Sequence, residues 1–254
     1  MSHHRRDRWA ERSFVLEGPH LVGDALEHGH PLEMVFAEPG GLGDLDLSGC
    51  AAPVHEVEDG TLAKVTDTVA PQGVVAIAPM PESEGRIVEQ VLGGGGVVLV
   101  LAGVSDPGNA GTLVRVAEAA GVGAVLFCDE AVDPFAPKCV RASAGSILHV
   151  PVTSGARSVH VLAAVGGGGG RRLGAASRRG EPYDRCDLRG PLAIVLGSEA
   201  HGVPDELDAL LDGWTHVPMA GRAESLNVAV TGAIVCFEAA RQRRTAETAE
   251  VAAR

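Results

Sequence analysis

The pattern of apolar and polar positions is most regular in the part of the chain that begins at Val97. From there, short apolar runs alternate with longer segments of helical periodicity. The predicted strands cover residues 97–102, 124–127, 147–152, 172–175, 192–196 and 215–217, and the predicted helices cover residues 112–120, 137–144, 156–165 and 204–211. Apolar strands separated by helices are typical of a parallel sheet that is covered on both faces. This part therefore predicts an α/β fold with a mostly parallel sheet.

A smaller unit precedes it, over residues 13–80. Leu21, Val22, Ala25 and Leu26 have helical spacing, and residues 34–37 and 74–78 have the composition of short strands. Helices and strands that alternate over so short a segment predict a small α/β domain.

Proline and glycine separate the two units. Pro79, Pro81, Glu82 and Glu84 are followed by four glycines at residues 93–96, which is the composition of a linker. We therefore place the boundary between residues 80 and 96 and the second domain at residues 93–244. A further glycine run at residues 166–170, like the first, lacks the spacing of a phosphate-binding loop, so both are predicted to be flexible connections.

Residues 215–244 place a short strand, a loop and a long helix in immediate succession. Pro218 and Gly221 interrupt the strand, and either Ser225 or Asn227 can cap the helix. Ser225, Leu226 and Asn227 therefore lie at a helix N-terminus, where unpaired backbone N–H groups face the loop. The simpler interpretation is an ordinary capped helix.

The helix itself carries apolar side chains with i, i+4, i+7 spacing, at Val230, Ile234 and Phe237. Its end is rich in arginine, at residues 241, 243 and 244, where the helix dipole favours cations.

Composition narrows the class of protein. The chain has 254 residues and 45% hydrophobic content, enough for extensive cores. It contains no apolar run of membrane-spanning length, and its N-terminus lacks the apolar region of a signal peptide. We therefore expect a cytoplasmic protein that neither crosses a membrane nor is secreted.

Neither a disulfide framework nor a metal site is predicted. Five cysteines are scattered without a C-x-x-C pair, at positions 50, 128, 139, 186 and 236. His28 and His30 have an H-x-H spacing, but no third ligand lies beside them in sequence. We interpret them as a loop pair.

The net charge of −12 argues against a protein that binds nucleic acid over its whole surface. Local basic patches remain compatible with it, because arginines cluster at residues 5–12, 171–189 and 241–244. Each cluster is either an RNA-facing patch, for which arginine suits phosphate contacts, or an ordinary solvated surface.

Three stretches carry a family resemblance. DPGNAGTLVRVAEAAG at residues 106–121, LAIVLGSEAHGVP at 192–204 and VPMAGRAESLNVAV at 217–230 resemble, in order and spacing, the three motifs of the SpoU (TrmH) family of AdoMet-dependent RNA ribose 2′-O-methyltransferases, within the SPOUT superfamily. The resemblance implies a trefoil knot that involves residues 190–244. Two phrases in the first unit, FVLEGPHLVGDALEHG and VTDTVAPQGVVAIA, resemble more loosely the L30e-like substrate-binding domain of such enzymes.

The resemblance also implies a set of cofactor-binding residues. Carried onto matching positions, the S-adenosyl-L-methionine site comprises Leu196, Gly197, Val217, Met219, Ser225 and Leu226. Glycine permits close backbone approach, and the apolar members suit the walls of an adenine or methionyl pocket. For each residue alone, core packing is the alternative.

The catalytic residues implied by the family are Asn109, Arg115, Glu199, Ser225 and Asn227. Arginine stays protonated in proteins, so we expect Arg115 to hold a phosphate and stabilise a developing alkoxide, while water or Glu199 takes the proton. Asn109 could instead be a turn or cap residue. A structural role for Arg115 would require a carboxylate partner such as Glu118 or Glu199.

Together these features predict a homodimeric RNA 2′-O-methyltransferase with an N-terminal RNA-binding domain. Ribosomal RNA, in particular 23S rRNA, is the favoured substrate and tRNA the alternative. A non-catalytic RNA-binding or ribosome-assembly protein that retains the fold is a second alternative. A nucleotide-dependent oxidoreductase is disfavoured, because no G-x-G-x-x-G follows the first strand of the parallel sheet.

Overall fold

A computed structural model describes residues 4–66, 71–81 and 86–252. Its N-terminal part contains α1 (Arg5–Glu11), β1 (Ser13–Glu17), α2 (Pro19–Glu27), β2 (Met34–Ala37), β3 (Val54–Glu56), α3 (Leu62–Val65) and β4 (Val74–Pro79). These strands form a sheet of order β1-β4-β2-β3, in which only β2 and β3 are parallel among the pairs described. The helix and both strands predicted for this unit are present.

The second part forms a sheet of seven strands with helices between them. The elements are α4 (Ile87–Gly93), β5 (Val97–Ala102), α5 (Pro107–Ala119), β6 (Ala124–Cys128), α6 (Pro137–Ser143), β7 (Val152–Ala156), α7 (Ser158–Gly167), β8 (Arg171–Ala175), β9 (Glu181–Pro182), β10 (Leu192–Gly197), β11 (Gly213–His216) and α8 (Val228–Ala252). The order is β7-β6-β5-β10-β8-β11-β9, and the six pairings described are parallel. The predicted α/β fold with a mostly parallel sheet is confirmed.

Strand β5 shows why these apolar runs form buried strands. Its residues are all buried, and alternate side chains enter different cores: Leu99 and Leu101 lie in one, Val98 and Val100 in the other. A central parallel strand has no solvent face, so its sequence is apolar throughout rather than alternating.

Two predicted elements were wrong in type or position. Residues 147–152 are not a strand: Ser146–Leu148 is a 3-10 helix, and the strand begins at Val152. Ile147 and Val150 are buried from this turn, and a short apolar run does not by itself distinguish a strand from a turn packed on the core. The helix predicted at 204–211 is instead a 3-10 helix, Asp205–Leu210.

Helix boundaries also differ from the prediction. Helix α5 begins at Pro107 rather than Thr112, because the Asp106 side chain caps it by accepting from the backbone N–H of Asn109. The predicted linker at residues 80–96 contains helix α4, and its residues 82–85 lie outside the described part of the chain. Helix α8 continues to Ala252, well beyond Arg244.

The two sheets are joined by one continuous apolar core and by ion pairs. Phe14 of β1 and Leu99 of β5 belong to the same buried cluster. The guanidinium of Arg8 in α1 pairs with the buried carboxylate of Asp133, and Arg141 of α6 pairs with Glu17 at 2.7 Å. The first unit is therefore fixed against the parallel-sheet unit.

Helix α8 packs against α5 and β10, and Gly232 allows the close approach. A Cβ at this position would lie 2.4 Å from the Leu113 side chain and 2.8 Å from that of Leu196. The opposite face of α8 is open to solvent, since Val230 and Phe237 are each 46% exposed. Among the described residues, no helix is both long enough and apolar enough to cross a membrane.

Candidate active site

A cleft of about 920 Å³ opens at the carboxyl ends of three neighbouring parallel strands. Strand β8 ends at Ala175, β10 at Gly197 and β11 at His216, and the chain beyond each of these ends contributes to the lining. Ligands bind at this edge of open α/β sheets, because the loops that leave the strands converge there.

All six residues predicted to bind the cofactor line this one cleft: Leu196, Gly197, Val217, Met219, Ser225 and Leu226. Glu199 and Asn227, from the predicted catalytic set, line it as well. Two segments that are separate in sequence, the second and third motifs, therefore meet at one site, as the motif pattern predicted. Their roles in binding and catalysis stay predictions.

Gly197 lies directly against the backbone of the loop that follows β10. A Cβ on Gly197 would lie about 2 Å from the backbone of Gly202 and Val203, far inside contact distance. The loop after β10 closes on itself through paired backbone hydrogen bonds between Ser198 and Gly202, at 3.0 and 2.9 Å. Any larger residue at 197 would push this loop away and reshape the cleft.

Glu199, Asn109 and Asn227 form a continuous chain of hydrogen bonds. The side-chain amide of Asn109 donates to Glu199 Oε1 at 2.9 Å, and that of Asn227 donates to Asn109 Oδ1 at 2.9 Å. Asn227 Oδ1 in turn accepts from the backbone N–H of Ala229 at 2.8 Å, so Asn227 caps α8. Of the two caps that the sequence left open, the structure uses Asn227.

The other oxygen of Glu199 is held by a residue that the sequence analysis missed. Ser105 donates to Glu199 Oε2 from its backbone N–H at 3.3 Å and from its hydroxyl at 3.2 Å, while the backbone N–H of Asp106 donates to Oε1 at 3.3 Å. Ser105 directly precedes the first motif, and this position was the feature of the sequence that could have indicated a role in the site.

These donors keep Glu199 ionised. Partial burial acts to raise its pKa, but the hydrogen bonds from Asn109, from its own backbone and from Ser105 and Asp106 together outweigh that effect. The pKa of Glu199 therefore lies below its ordinary value. Such a carboxylate is a good hydrogen-bond acceptor and a weak base at neutral pH.

Arg115 does not take part in the hydrogen bonds that link Glu199, Asn109 and Asn227. It lies on the exposed side of α5, and it is not among the residues that line the cleft. Within the described part of the protein it forms no ion pair or hydrogen bond, so neither Glu118 nor Glu199 serves as the carboxylate partner that a structural role would require. Its guanidinium is available to a ligand.

An aromatic and charged group forms another wall of the cleft and was also missed. The Arg179 guanidinium lies 4.2 Å from the ring centroid of Trp214, and both side chains bind Asp208, at 2.7 Å from Arg179 and 3.0 Å from the indole N–H. The three residues lie in different segments, and their types follow no motif. Only the fold brings them together.

Several arginines of the predicted basic clusters are engaged within the chain. Arg172 pairs with Asp212, Arg189 with Asp187 and Arg241 with Glu238, while Arg243 donates to backbone carbonyls. By contrast, Arg178 and Arg222 are exposed and make no hydrogen bond or ion pair with the described residues. Arg178 lines the cleft, so the basic surface nearest the site is a small local one.

The fold and the site together define the class. A parallel α/β domain with a small-molecule cleft at its strand ends, lined by residues of the second and third motifs, has the architecture expected of the methyltransferase class that the motifs predicted.

Comparison with known proteins gives the family. The model of the SpoU rRNA Methylase family matches residues 96–237, and that of the MRM3-like substrate binding domain matches residues 3–76. The 23S rRNA (guanosine(2553)-2′-O)-methyltransferase RlmP of Bacillus subtilis is 32% identical over 92% of this chain and 91% of its own. The 23S rRNA (guanosine-2′-O-)-methyltransferase RlmB of Ralstonia nicotianae is 34% identical over 91% of this chain and 97% of its own.

Solved structures agree with this. An AdoMet-bound rRNA methyltransferase from Sinorhizobium meliloti has a TM-score of 0.81 and 30% identity, covering 94% of this chain and 90% of that one. The chain belongs to the SpoU rRNA methylase family, and the resemblance seen in the three motifs is confirmed.

Proposed function

We propose that this protein transfers a methyl group from S-adenosyl-L-methionine to a ribose 2′-hydroxyl of structured RNA, with 23S ribosomal RNA as the substrate. The observation that carries the proposal is the hydrogen-bonded chain from Glu199 through Asn109 to Asn227, which begins and ends at the cofactor-sized cleft. The names of the relatives RlmP and RlmB support 23S rRNA over tRNA.

The cleft fits the cofactor in size and chemistry. Its volume of about 920 Å³ is in the range of small-molecule sites. Leu196, Val217, Met219 and Leu226 offer apolar surface to the adenine and the methionyl chain, and the loops at the strand ends offer backbone polar groups. When bound, the cofactor supplies an electrophilic methyl group on a sulfonium ion.

The chain's own residues would act mainly by positioning. Glu199 fixes the amide of Asn109, and Asn109 fixes Asn227 at the start of α8, so the loop after β10 and the start of α8 are held in one geometry. Correct placement of reacting groups is worth several orders of magnitude in rate. Because its carboxylate already accepts four hydrogen bonds, Glu199 serves as an acceptor and orienting group, and the hydroxyl proton is released to water.

Arg115 would act from the RNA side. Its exposed guanidinium, without a partner in the described part of the chain, suits a planar two-point contact with an RNA phosphate. Bound to the phosphate next to the target ribose, it would stabilise negative charge that develops on the attacking oxygen. Arg178, at the cleft, offers a second such contact.

We assign RNA capture to residues 13–80 and methyl transfer to residues 93–244. The match of residues 3–76 to an MRM3-like substrate binding domain supports the first assignment. We further propose that residues 190–244 form the trefoil knot of the SPOUT superfamily. The match of residues 96–237 to the SpoU rRNA Methylase family supports this proposal.

We propose a homodimer that forms through α8. Val230, Ile234 and Phe237 make an apolar stripe along this helix, and Val230 and Phe237 remain 46% exposed in the single chain. Burying exposed apolar surface of this kind drives association.

A ribosomal substrate would also place the protein in the cytoplasm, which agrees with its five free cysteines.

The test is methyl transfer from labelled AdoMet to 23S rRNA and to tRNA, followed by mapping of the 2′-O-methylated nucleotide. We expect one labelled ribose in 23S rRNA, and AdoMet binding by calorimetry without binding of NADH. Labelling of tRNA alone would overturn the substrate. Failure to label either RNA, even within ribosomal particles, would favour a non-catalytic RNA-binding protein.

A further inference from the structure

The contact between the two sheets contains a cluster of imidazole and carboxylate groups that the methyltransferase site does not use. It consists of Asp24 and His28, on and just after α2, and of His149, which precedes β7. His149 and Asp24 are 125 positions apart, so no local sequence motif predicts the cluster.

One ligand atom of each residue lies close to those of the other two, and His28 Nδ1 also lies 3.0 Å from the backbone oxygen of Asp24, a contact that it would give up on binding a metal. His149 Nε2 is 3.0 Å from both carboxylate oxygens of Asp24, and His28 Nδ1 is 3.1 Å from Asp24 Oδ1. One atom from each of the three residues falls within 4.8 Å of the others. In a tetrahedral zinc site with bonds of about 2.0–2.1 Å, ligand atoms are roughly 3.3 Å apart.

The surroundings hold the carboxylate of Asp24 in place. Asp24 is mostly buried, with 15% of its side chain exposed, and Gly145 lies so close that a Cβ there would be 2.3 Å from Asp24 Oδ2. The ring of His30 lies 5.5 Å from that of His149, centroid to centroid. His30 is nevertheless not part of the converging group of ligand atoms, so a fourth ligand would come from water.

We propose that Asp24, His28 and His149 bind one Zn²⁺ ion that fastens the first unit to the parallel-sheet unit. Two imidazoles and one carboxylate form a donor set that zinc accepts, whereas Mg²⁺ and Ca²⁺ prefer oxygen ligands only. Because α2 belongs to the first sheet unit and His149 to the second, the ion would strengthen the contact made by Glu17 and Arg141. It would act on stability and not on the methyl-transfer step.

The experiment is calorimetric titration of ZnCl₂ into the metal-stripped full-length protein, with parallel thermal melting. We expect one equivalent to bind and the melting temperature to rise. His149→Gln and Asp24→Asn should each weaken this binding roughly 100-fold or more, since even outer-shell changes cost 10–100-fold. His160→Ala is the matched control, because His160 is an exposed histidine on α7 outside the cluster.

Two further measurements keep the test decisive. If the His149 variant fails to fold, His28→Gln replaces it, because the His28 side chain is 50% exposed and its loss is tolerated more easily. Substitution with Co²⁺ should give the intense visible absorption of a four-coordinate ion, and the variants should lose it. Zinc binding that is equal in the wild type and all cluster variants, or no binding at all, would overturn the proposal.

Discussion

The side-chain amide of Asn227 donates to the side-chain oxygen of Asn109 across 2.9 Å, although 118 positions separate the two residues. Asn109 in turn donates to Glu199. The side-chain amide of Asn109, in the first motif, therefore contacts both Glu199 of the second motif and Asn227 of the third. The amide group is suited to this position because it donates and accepts at the same time. An aspartate at position 109 could accept from Asn227 but could not donate to Glu199, so it would not reproduce both contacts.

Because Asn109 and Glu199 act through each other, their substitutions should not be additive. We expect Asn109→Ala and Glu199→Gln each to reduce single-turnover methyl transfer about tenfold or more, and the double variant to be little worse than the more impaired single variant. Glu118→Ala, at an exposed position of the same helix, is the control and should retain full activity. Fully multiplicative losses would show that the two residues act independently.

The lowered pKa of Glu199 makes a prediction about pH. Because the pKa of Glu199 is lower in the folded than in the unfolded protein, its contacts stabilise the fold above the unfolded pKa and are lost as the pH falls through the folded pKa. At neutral pH Glu199 is therefore already ionised. We therefore expect no ionisation of Glu199 in the rate profile between about pH 6 and pH 8. The wild type and Glu199→Gln should have profiles of the same shape. A limb near neutrality that disappears in the variant would identify Glu199 as the base.

Arg115→Ala should reduce methyl transfer by a factor on the order of 10² while AdoMet affinity and melting temperature barely change. The reason is that Arg115 is exposed and has no ion-pair partner in the described part of the chain. Its removal therefore leaves no buried carboxylate without an ion-pair partner. Lysine should restore activity only in part, since it lacks the planar fork.

The control for this substitution is Thr112→Ala, one turn earlier on the exposed side of α5. A variant of Arg115 that melts many degrees early would contradict the assignment and indicate a structural role.

Gly197→Ala should damage the cofactor cleft directly. The added methyl group would collide with the backbone of Gly202 and Val203, which cannot move without opening the loop after β10. We expect destabilisation of at least about 1–3 kcal/mol by denaturant unfolding, together with loss of AdoMet binding. Gly213→Ala is the matched control, because a Cβ there meets only the Leu173 side chain at 3.6 Å. Normal cofactor binding by the Gly197 variant would contradict this account.

The proposed dimer can be tested with one pair of matched variants. Val230→Glu introduces a charge into the apolar stripe of α8, and light scattering should then report a monomer at micromolar concentration, where we expect the wild type to be a dimer. Val54→Glu changes a valine of similar exposure, 43% against 46%, on β3 and should leave the dimer intact. Equal masses for both variants and the wild type would place the interface elsewhere.

The sequence by itself determined the fold class and the motif residues that line the cleft. The apolar runs of β5, β6 and β10 are unambiguous because a central parallel strand is buried on both faces, so its hydrophobicity leaves a continuous signal. The motifs identified all six residues proposed for the cofactor because each motif is local, a few residues around one strand end.

Only the tertiary structure decided which groups meet. The hydrogen-bonded chain through Asn109, the stacking of Arg179 on Trp214 and the approach of His149 to Asp24 all join residues far apart in sequence. Whether Arg115 had a carboxylate partner likewise depended on packing. Residues 147–152 failed as a strand for a related reason: a short apolar run records burial, whereas the backbone conformation that achieves it is set by the surrounding chain.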